Sequence, residues 1–285
     1  MRLCCFDDDR LGLVRGETVL DVSAALEALP DSRWPLPPGD PLIANLAAVR
    51  GRIEALADTA AAKPLADIAL RAPVANPSKI IGAPVNYRKH IDEARADESI
   101  HFGQDIKSID HYGLFLKATS ALVGAADGVP LRFLDRRTDH ECELAVVIGA
   151  PGSDIPAARA LDHVAGYAIG LDMTVRGTED RSFRKSIDGY AVLGPWLVTA
   201  EEISDPDALD LALAVNGETR QRANTRDLIL GVAELIAYAS RFYTLWPGDV
   251  IMTGTPEGVG PVAPGDVMTA EIAGIGRMEV TTRAA

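Results

Sequence analysis

The stretch Thr138–Gly149, TDHECELAVVIG, sets two glutamates at the mouth of the apolar run Leu144–Ile148. A short run of this kind, rich in β-branched residues and closed by glycine, reads as a buried strand. Side chains two apart on a strand share a face, so Glu141 and Glu143 project together while Cys142 and Leu144 point the other way. Two like charges at the edge of an apolar run are unfavourable unless a cation or a shared proton compensates them. A third acid, Asp172, lies inside a second strand-like run, GYAIGLDMTV at 166–175. Three carboxylates in apolar surroundings with no adjacent lysine ask for a metal. Their hard oxygens favour Mg²⁺ or Mn²⁺, with Ca²⁺ as a substitute, over Zn²⁺. The competing possibility is that the glutamates are the solvated start of a strand and Asp172 a turn acid, and the residues alone leave it open.

Outward from this stretch, β signals dominate from Lys79 onward. In LDLALAVNGETRQ the Asn216-Gly217 pair suits a two-residue hairpin, because both central positions take φ > 0. Pro-Gly-Asp turns at 247–249 and 264–266 each lead into a β-rich run. One long helix is expected from about Thr225 to Tyr243, with Leu228, Val232, Leu235, Ile236 and Ala239 on one stripe and Asn224 or Thr225 as its cap. Toward the N-terminus, residues 2–22 suggest a small β-meander and 42–62 a helix, separated by the proline-rich LPDSRWPLPPGDP. A second proline-punctuated stretch, RAPVANPSK at 71–79, reads as a linker. The expected organisation is a small α/β domain over 1–72 and a main body over 73–285, in an α+β, mostly β class.

With 285 residues and 47% hydrophobic content the chain can bury a full core. Cys4, Cys5 and Cys142 are too few and poorly spaced for a disulfide framework or a Cys-x-x-Cys knuckle. A reducing cytoplasm is the expected home. No run has the length of a membrane span, and MRLCCFDDDRLG lacks the pattern of a signal peptide. The net charge of −13, from 41 acidic and 28 basic residues, repels nucleic acid and anionic membranes. An anionic small substrate needs local cations to overcome that field, and a divalent cation is drawn in by it.

The segment 87–112 is densely charged, holds three of the chain's five histidines and reads as a mobile lid. Within it His90 and Glu93 stand three apart, on one face of a helix, so the carboxylate can hold the imidazole as a general base. The alternative is an exposed helix with a routine ion pair. His101 and His111 are rivals for the same role, whereas His140 and His163 read as structural. Lys117 and Lys185 sit among apolar or small residues and suit anion contacts, and Arg176 can reach back over the acids. A snorkelling side chain is the other possibility for each, favoured more for Lys117 than for Lys185. The loop MTGTPEGVG, with Gly254 and Thr255, has the residues of an anion cradle but lacks the ending of a P-loop.

Taken in order, KIIGAPVNYRKHIDEA, DHECELAVVIG, GYAIGLDMTVRG, KSIDGYAVLGPWLVT, VNGETRQ and PGDVIMTGTPEGVG resemble the fumarylacetoacetate hydrolase family over about residues 79–283. The resemblance implies a mixed β-roll behind a small N-terminal domain, a homodimer, and Mg²⁺ or Mn²⁺ chemistry on 2-oxo acids and β-dicarbonyls. It makes Glu141, Glu143 and Asp172 the metal ligands, and His90 with Glu93 the water-activating dyad of the acylpyruvase-like branch. It sets Lys185 and Arg176 against the substrate's oxygens, with Lys117 nearby, and Gly254 and Thr255 at its carboxylate. The implied activity is hydrolytic carbon–carbon cleavage of a 2,4-diketo acid, such as an acylpyruvate. The alternatives are an isomerase or decarboxylase of a 2-oxo dicarboxylate, such as 2-hydroxyhepta-2,4-diene-1,7-dioate, and a non-catalytic relative that binds metal and ligand. The chain departs from the family pattern at Leu171 and Gly177, where Asn and Asp are usual, and at Ala83-Pro84-Val85 and Ala118. Glu179 aligns with a usual Gln, which puts an extra acid at the substrate wall.

Overall fold

The opening stretch forms two strands, Thr138–His140 and Cys142–Ile148, with the backbone turning from one sheet to another at Glu141. The computed structural model describes all 285 residues. Cys142–Ile148 is buried along its whole length, as the near-continuous apolar pattern requires of a strand covered on both faces. It pairs antiparallel with Val164–Asp172 on one side and Val250–Met252 on the other. From Val164–Asp172 the sheet continues through Ala191–Thr199 to the N-terminal strands Arg2–Phe6, Arg10–Arg15 and Thr18–Asp21. From Val250–Met252 it continues through Ile80–Gly82, in parallel, to Phe115–Lys117. A five-stranded sheet, ordered 218–224, 210–215, 267–272, 276–284 and 129–131, packs against one face. Leu144, Val146 and Ile148 meet Met268, Ala270 and Ile272 in the main core between them. Ala145, Val147, Ala168, Leu193 and Met252 form a second core on the opposite face.

This architecture, 34% strand and 26% helix, is the mostly β, α+β arrangement expected from the sequence. The meander is present, and helix Leu46–Ala57 packs Val49, Ile53 and Ala57 against Leu3, Leu13 and Leu20. The helix expected over 42–62 is shorter and broken. Asn45 leaves the helical region and donates its side-chain amide to the Pro41 carbonyl, and Ala62–Pro64 is an edge strand against Thr18–Leu20. Asp40 fastens the linker: one carboxylate oxygen accepts the N–H groups of Leu42 and Ile43, the other those of Ala75 and Asn76.

The helix expected from Thr225 to Tyr243 also divides. Thr225–Asp227 is a single 3₁₀ turn capped by Asn224, and the α-helix is Val232–Ser240. Between them Ile229 and Leu230 give their backbone hydrogen bonds to Asn86, which competes with helix formation and ties the segment beside the site. The Asn216-Gly217 turn has φ of 51° and 83°, the left-handed pair that the dipeptide predicts. In 87–112 the helix Arg88–Ala96 is followed by short helices Glu98–His101 and Ile109–Tyr112. Ile91, Ala94 and Ile106 form a small apolar cluster of their own there.

Candidate active site

Period two decides where the acids go. Glu143 lies opposite Gly170, and Ala145 opposite Ala168, so Glu143 and Asp172 share the face that carries Ala145 and Ala168. Glu141 joins them because its carbonyl accepts the Asp172 N–H at 2.9 Å. One ligand oxygen from each of Glu141, Glu143 and Asp172 lies within 4.8 Å of the other two, and all three residues are at least 95% buried.

The sequence gives these acids no adjacent lysine, and the structure corrects that expectation: chain topology brings two. Lys185 Nζ donates to Glu141 Oε2, Asp172 Oδ2 and Thr174 Oγ1, each at 2.7 Å. An ammonium has three donors, so all are committed. Lys117 is fully buried, not snorkelling; it donates to Asp172 Oδ1 at 2.5 Å and to the Lys185 carbonyl. Burial pulls its ammonium below the usual range, against the opposing pull of Asp172. Arg176 donates through Nε to Asp139 Oδ2 at 2.7 Å and through Nη2 to Glu141 Oε1 at 3.0 Å. Nη1 retains its donors. Asp139, which the sequence did not single out, is held as well by Arg137 at 2.7 Å.

Against this set Glu143 stands apart. It has no cationic partner, and its one hydrogen bond is from the Gly254 N–H to Oε2 at 2.7 Å. Burial, then the charges of Asp172 and Glu141, push its carboxyl well above the usual range. Burial also acts on Glu141, but Lys185 and Arg176 outweigh it and hold that carboxyl well below the usual range. Every oxygen of the trio carries a spare lone pair, because each accepts no more than one hydrogen bond. A buried trio of hard donors with one carboxylate uncompensated fits Mg²⁺ or Mn²⁺.

His90 faces the same cavity from helix Arg88–Ala96. Its Nδ1 is 2.9 Å from Glu93 Oε2, and Glu93 Oε1 accepts the Gly258 N–H at 2.8 Å. Nδ1 therefore carries the proton and Nε2 is the acceptor. The loop that supplies Gly258 is itself fixed. Thr255 Oγ1 donates to the Cys142 carbonyl at 2.9 Å and accepts from Gln221 Nε2 at 2.8 Å, while Gln221 Oε1 accepts the Cys142 N–H.

The cavity, about 70 Å³, brings together His90, Glu141, Glu143, Asp172, Arg176, Lys185 and Thr255. Four expected contacts differ. Thr255 lines the cavity, but its hydroxyl proton is engaged by Cys142, and Gly254 gives its N–H to Glu143 and does not line it. Glu179 is turned to the surface in a two-point pair with Arg136 at 2.8 and 2.9 Å, because that guanidinium is the nearest strong donor to an exposed carboxylate. Lys117 lies behind the wall, bonded to Asp172. His101 is at the cavity, whereas His111 lies on an outer face with Arg88 and Asp92. His140 and His163 are held by Gln221 and the Ala150 carbonyl. Arg181 and Arg184 also line the cavity, and nothing in the sequence reading marked them. Their signal was available: RSFRK at 181–185 is a cluster of three cations in an acidic chain.

Comparison with known proteins identifies relatives of the chain. Residues 79–283 match the fumarylacetoacetate (FAA) hydrolase C-terminal family. The chain is 56% identical, over 99% of both sequences, to a maleylpyruvate hydrolase of Aquipseudomonas alcaligenes. A crystal structure of maleylpyruvate hydrolase from Sphingobium sp. SYK-6, in complex with manganese(II) ion and pyruvate, is 41% identical and superposes with a TM-score of 0.83 over the whole of both chains. A 2-hydroxyhepta-2,4-diene-1,7-dioate isomerase from Mycobacterium marinum is 29% identical with a TM-score of 0.72, covering 100% of this chain and 98% of its own.

Proposed function

The chain belongs to the fumarylacetoacetate hydrolase family, and from that premise we propose that it is a divalent-metal-dependent hydrolase that splits maleylpyruvate, or a close acylpyruvate, into pyruvate and a carboxylic acid. The observation that carries this is the buried trio Glu141, Glu143 and Asp172 facing one cavity with the His90–Glu93 dyad. Glu141, Glu143 and Asp172 would hold Mg²⁺ or Mn²⁺, which supplies Lewis-acid polarisation of the dicarbonyl.

His90 Nε2 takes a proton from water, with Glu93 stabilising the imidazolium that forms. The water oxygen adds to the carbonyl carbon of the acyl group. Breaking the carbon–carbon bond then leaves the acid and the enolate of pyruvate, and protonation at carbon gives pyruvate. Arg176 lines the cavity with its Nη1 donors free, and these would serve the oxyanion. Lys185, with all three donors engaged, acts through the charge it places between Glu141 and Asp172. This revises its part from direct donor to holder of the carboxylates.

Segment 87–112 contributes His90, Ala94, Ile100, His101, Gln104 and Ile106 to the wall. Opening of this segment would admit the substrate, the part the sequence suggests for it. A homodimer is the assembly proposed from the family, and light scattering of the purified chain measures it.

The test is incubation of purified protein with maleylpyruvate, Mn²⁺ or EDTA. Loss of the enol absorbance with equimolar pyruvate and maleate, abolished by EDTA, is expected. Conversion to an isomer or release of CO₂ without a second acid would replace hydrolysis by isomerisation or decarboxylation. No turnover of any acylpyruvate would favour a binding role.

A further inference from the structure

Four cationic side chains line the cavity: Arg176, Lys185, Arg181 and Arg184. The first two are committed to Asp139, Glu141 and Asp172. The other two have no carboxylate partner. Arg184 donates from Nε to the Glu179 carbonyl at 2.8 Å and from Nη1 to the Val175 carbonyl, which orients the guanidinium without neutralising it. Arg181 makes no hydrogen bond and stands 4.2 Å from the Tyr112 ring. Arg184 is held below the usual guanidinium range by burial, then by the like charges of Arg176 and Arg181. Three guanidiniums crowded together are mutually repulsive, and a chain of net charge −13 has acids enough to pair them. Leaving two unpaired at a cavity reserves them for an anion.

We propose that Arg181 and Arg184 form the subsite for a second carboxylate, at the far end of the acyl group, and so select keto diacids over simple acylpyruvates. The assignment rests on the acylpyruvate hydrolase function above. The short helix Arg181–Lys185 fixes the direction. Its last residue, Lys185, reaches Glu141 and Asp172, whereas its first, Arg181, stands beside Tyr112. At about 1.5 Å per residue the two ends lie roughly 6 Å apart along the axis. The pyruvyl end, which carries the dicarbonyl oxygens, belongs near the trio, so the acyl tail extends toward the arginines. His101, also at the cavity, accepts the Gly103 N–H at Nδ1, which leaves Nε2 as the protonated nitrogen and a further donor.

The test compares kcat/KM for maleylpyruvate and for acetylpyruvate, which lacks the second carboxylate, in the wild-type protein, Arg181→Gln, Arg184→Gln and Arg184→Lys. A charge-assisted hydrogen bond accounts for roughly a 10- to 100-fold effect. The maleylpyruvate-to-acetylpyruvate ratio should fall by about that factor in each Gln variant, mainly through KM, and recover in part in Arg184→Lys. Equal losses on both substrates would place the arginines at the pyruvyl carboxylate and overturn the proposal, as would an unchanged ratio. Calorimetry of maleate binding to the metal-free proteins gives a readout that needs no turnover. Wild-type binding weakened in Arg181→Gln supports the subsite, and equal binding refutes it. Arg181 has no hydrogen bond to lose, so the test survives a folding failure at Arg184. A wild-type protein that cleaves neither compound defeats the hydrolase assignment itself, whereas one that cleaves both without preference defeats only the subsite.

Discussion

Replacing Lys185 by methionine keeps most of the unbranched side chain and removes its charge. The structure sets the size of the effect: the side chain is 92% buried and the three 2.7 Å bonds of its ammonium bridge Glu141, Asp172 and Thr174. After the change Glu141 keeps Arg176 and Asp172 keeps Lys117, but two carboxylate oxygens face each other with nothing between them. Removing one partner of a buried pair costs about 3–5 kcal/mol, here because Glu141 and Asp172, each left with one cation instead of two, repel across the gap. At roughly 2–4 °C per kcal/mol for a large domain, Tm of the metal-free protein should drop by roughly 6–20 °C. Differential scanning calorimetry in EDTA measures it. Saturating Mn²⁺ stabilises whatever state binds it, by about 2.7 kcal/mol at a hundredfold excess over Kd. It should raise Tm of Lys185→Met at least as much as that of the wild type, since the ion also restores a positive charge between the acids. A variant melting within 2 °C of the wild type in EDTA would show that Lys185 does not hold the acids together.

Further outcomes follow from the dyad, its loop and the thiols. His90→Ala should lower kcat by about 10²- to 10⁴-fold and leave Mn²⁺ affinity, read by calorimetry, as it was. Glu93→Gln should lose less, because the amide oxygen still accepts from Nδ1. Gly258→Ala should lower both Tm and kcat: φ there is +92°, a Cβ would lie 2.0 Å from the Arg220 carbonyl oxygen, and the Glu93 anchor moves with the loop. The left-handed backbone alone accounts for about 1–2 kcal/mol, and unchanged calorimetric and kinetic values would refute the anchoring role. Burial pushes the Cys4 thiol to about 12 and Cys5 to about 11, and lifts Cys142 well above the usual range. At pH 7.5 a chromogenic disulfide reagent should therefore react slowly with the native protein and with three thiols after denaturation.

The strand period carried the placement of the acids, since it needs only local geometry: Glu141 and Glu143 share a face wherever that strand sits. Asp172, His90 and Glu93 were marked by their own surroundings and spacing with alternatives left open, and the family resemblance, resting on ordered motifs, gave each a role. The reach of Arg176 to the acids was legible, but the pairing of the two lysines was not, because it depends on long-range contacts. Lys117 reaches Asp172 across 55 residues and Lys185 reaches Glu141 across 44, and nothing local marks either as a partner. Helix lengths failed for a related reason. Residues 225–231 have helical spacing, but Asn86, more than 140 positions away, takes the backbone hydrogen bonds of Ile229 and Leu230. Glu179 was misread because its neighbour Arg136 lies 43 residues away in sequence.

These contacts together explain why one acid, Glu143, is left without a cation. Glu141 and Asp172 end adjacent strands and face the edge of the sheet, where Lys117, Arg176 and Lys185 reach them from three other segments. Glu143 lies one step deeper, flanked by Gly170 on one strand and the Gly254 turn on the other. No basic side chain reaches that position. A small divalent ion needs no stem to arrive there, and the three carboxylates already share one face. The cations at the edge keep the outer two acids ionised, and the inner one supplies the unbalanced charge that favours a second positive species. The fold thereby separates two tasks: lysine and arginine assemble the acids, and the uncompensated Glu143 leaves the trio a place for the metal proposed to bind all three.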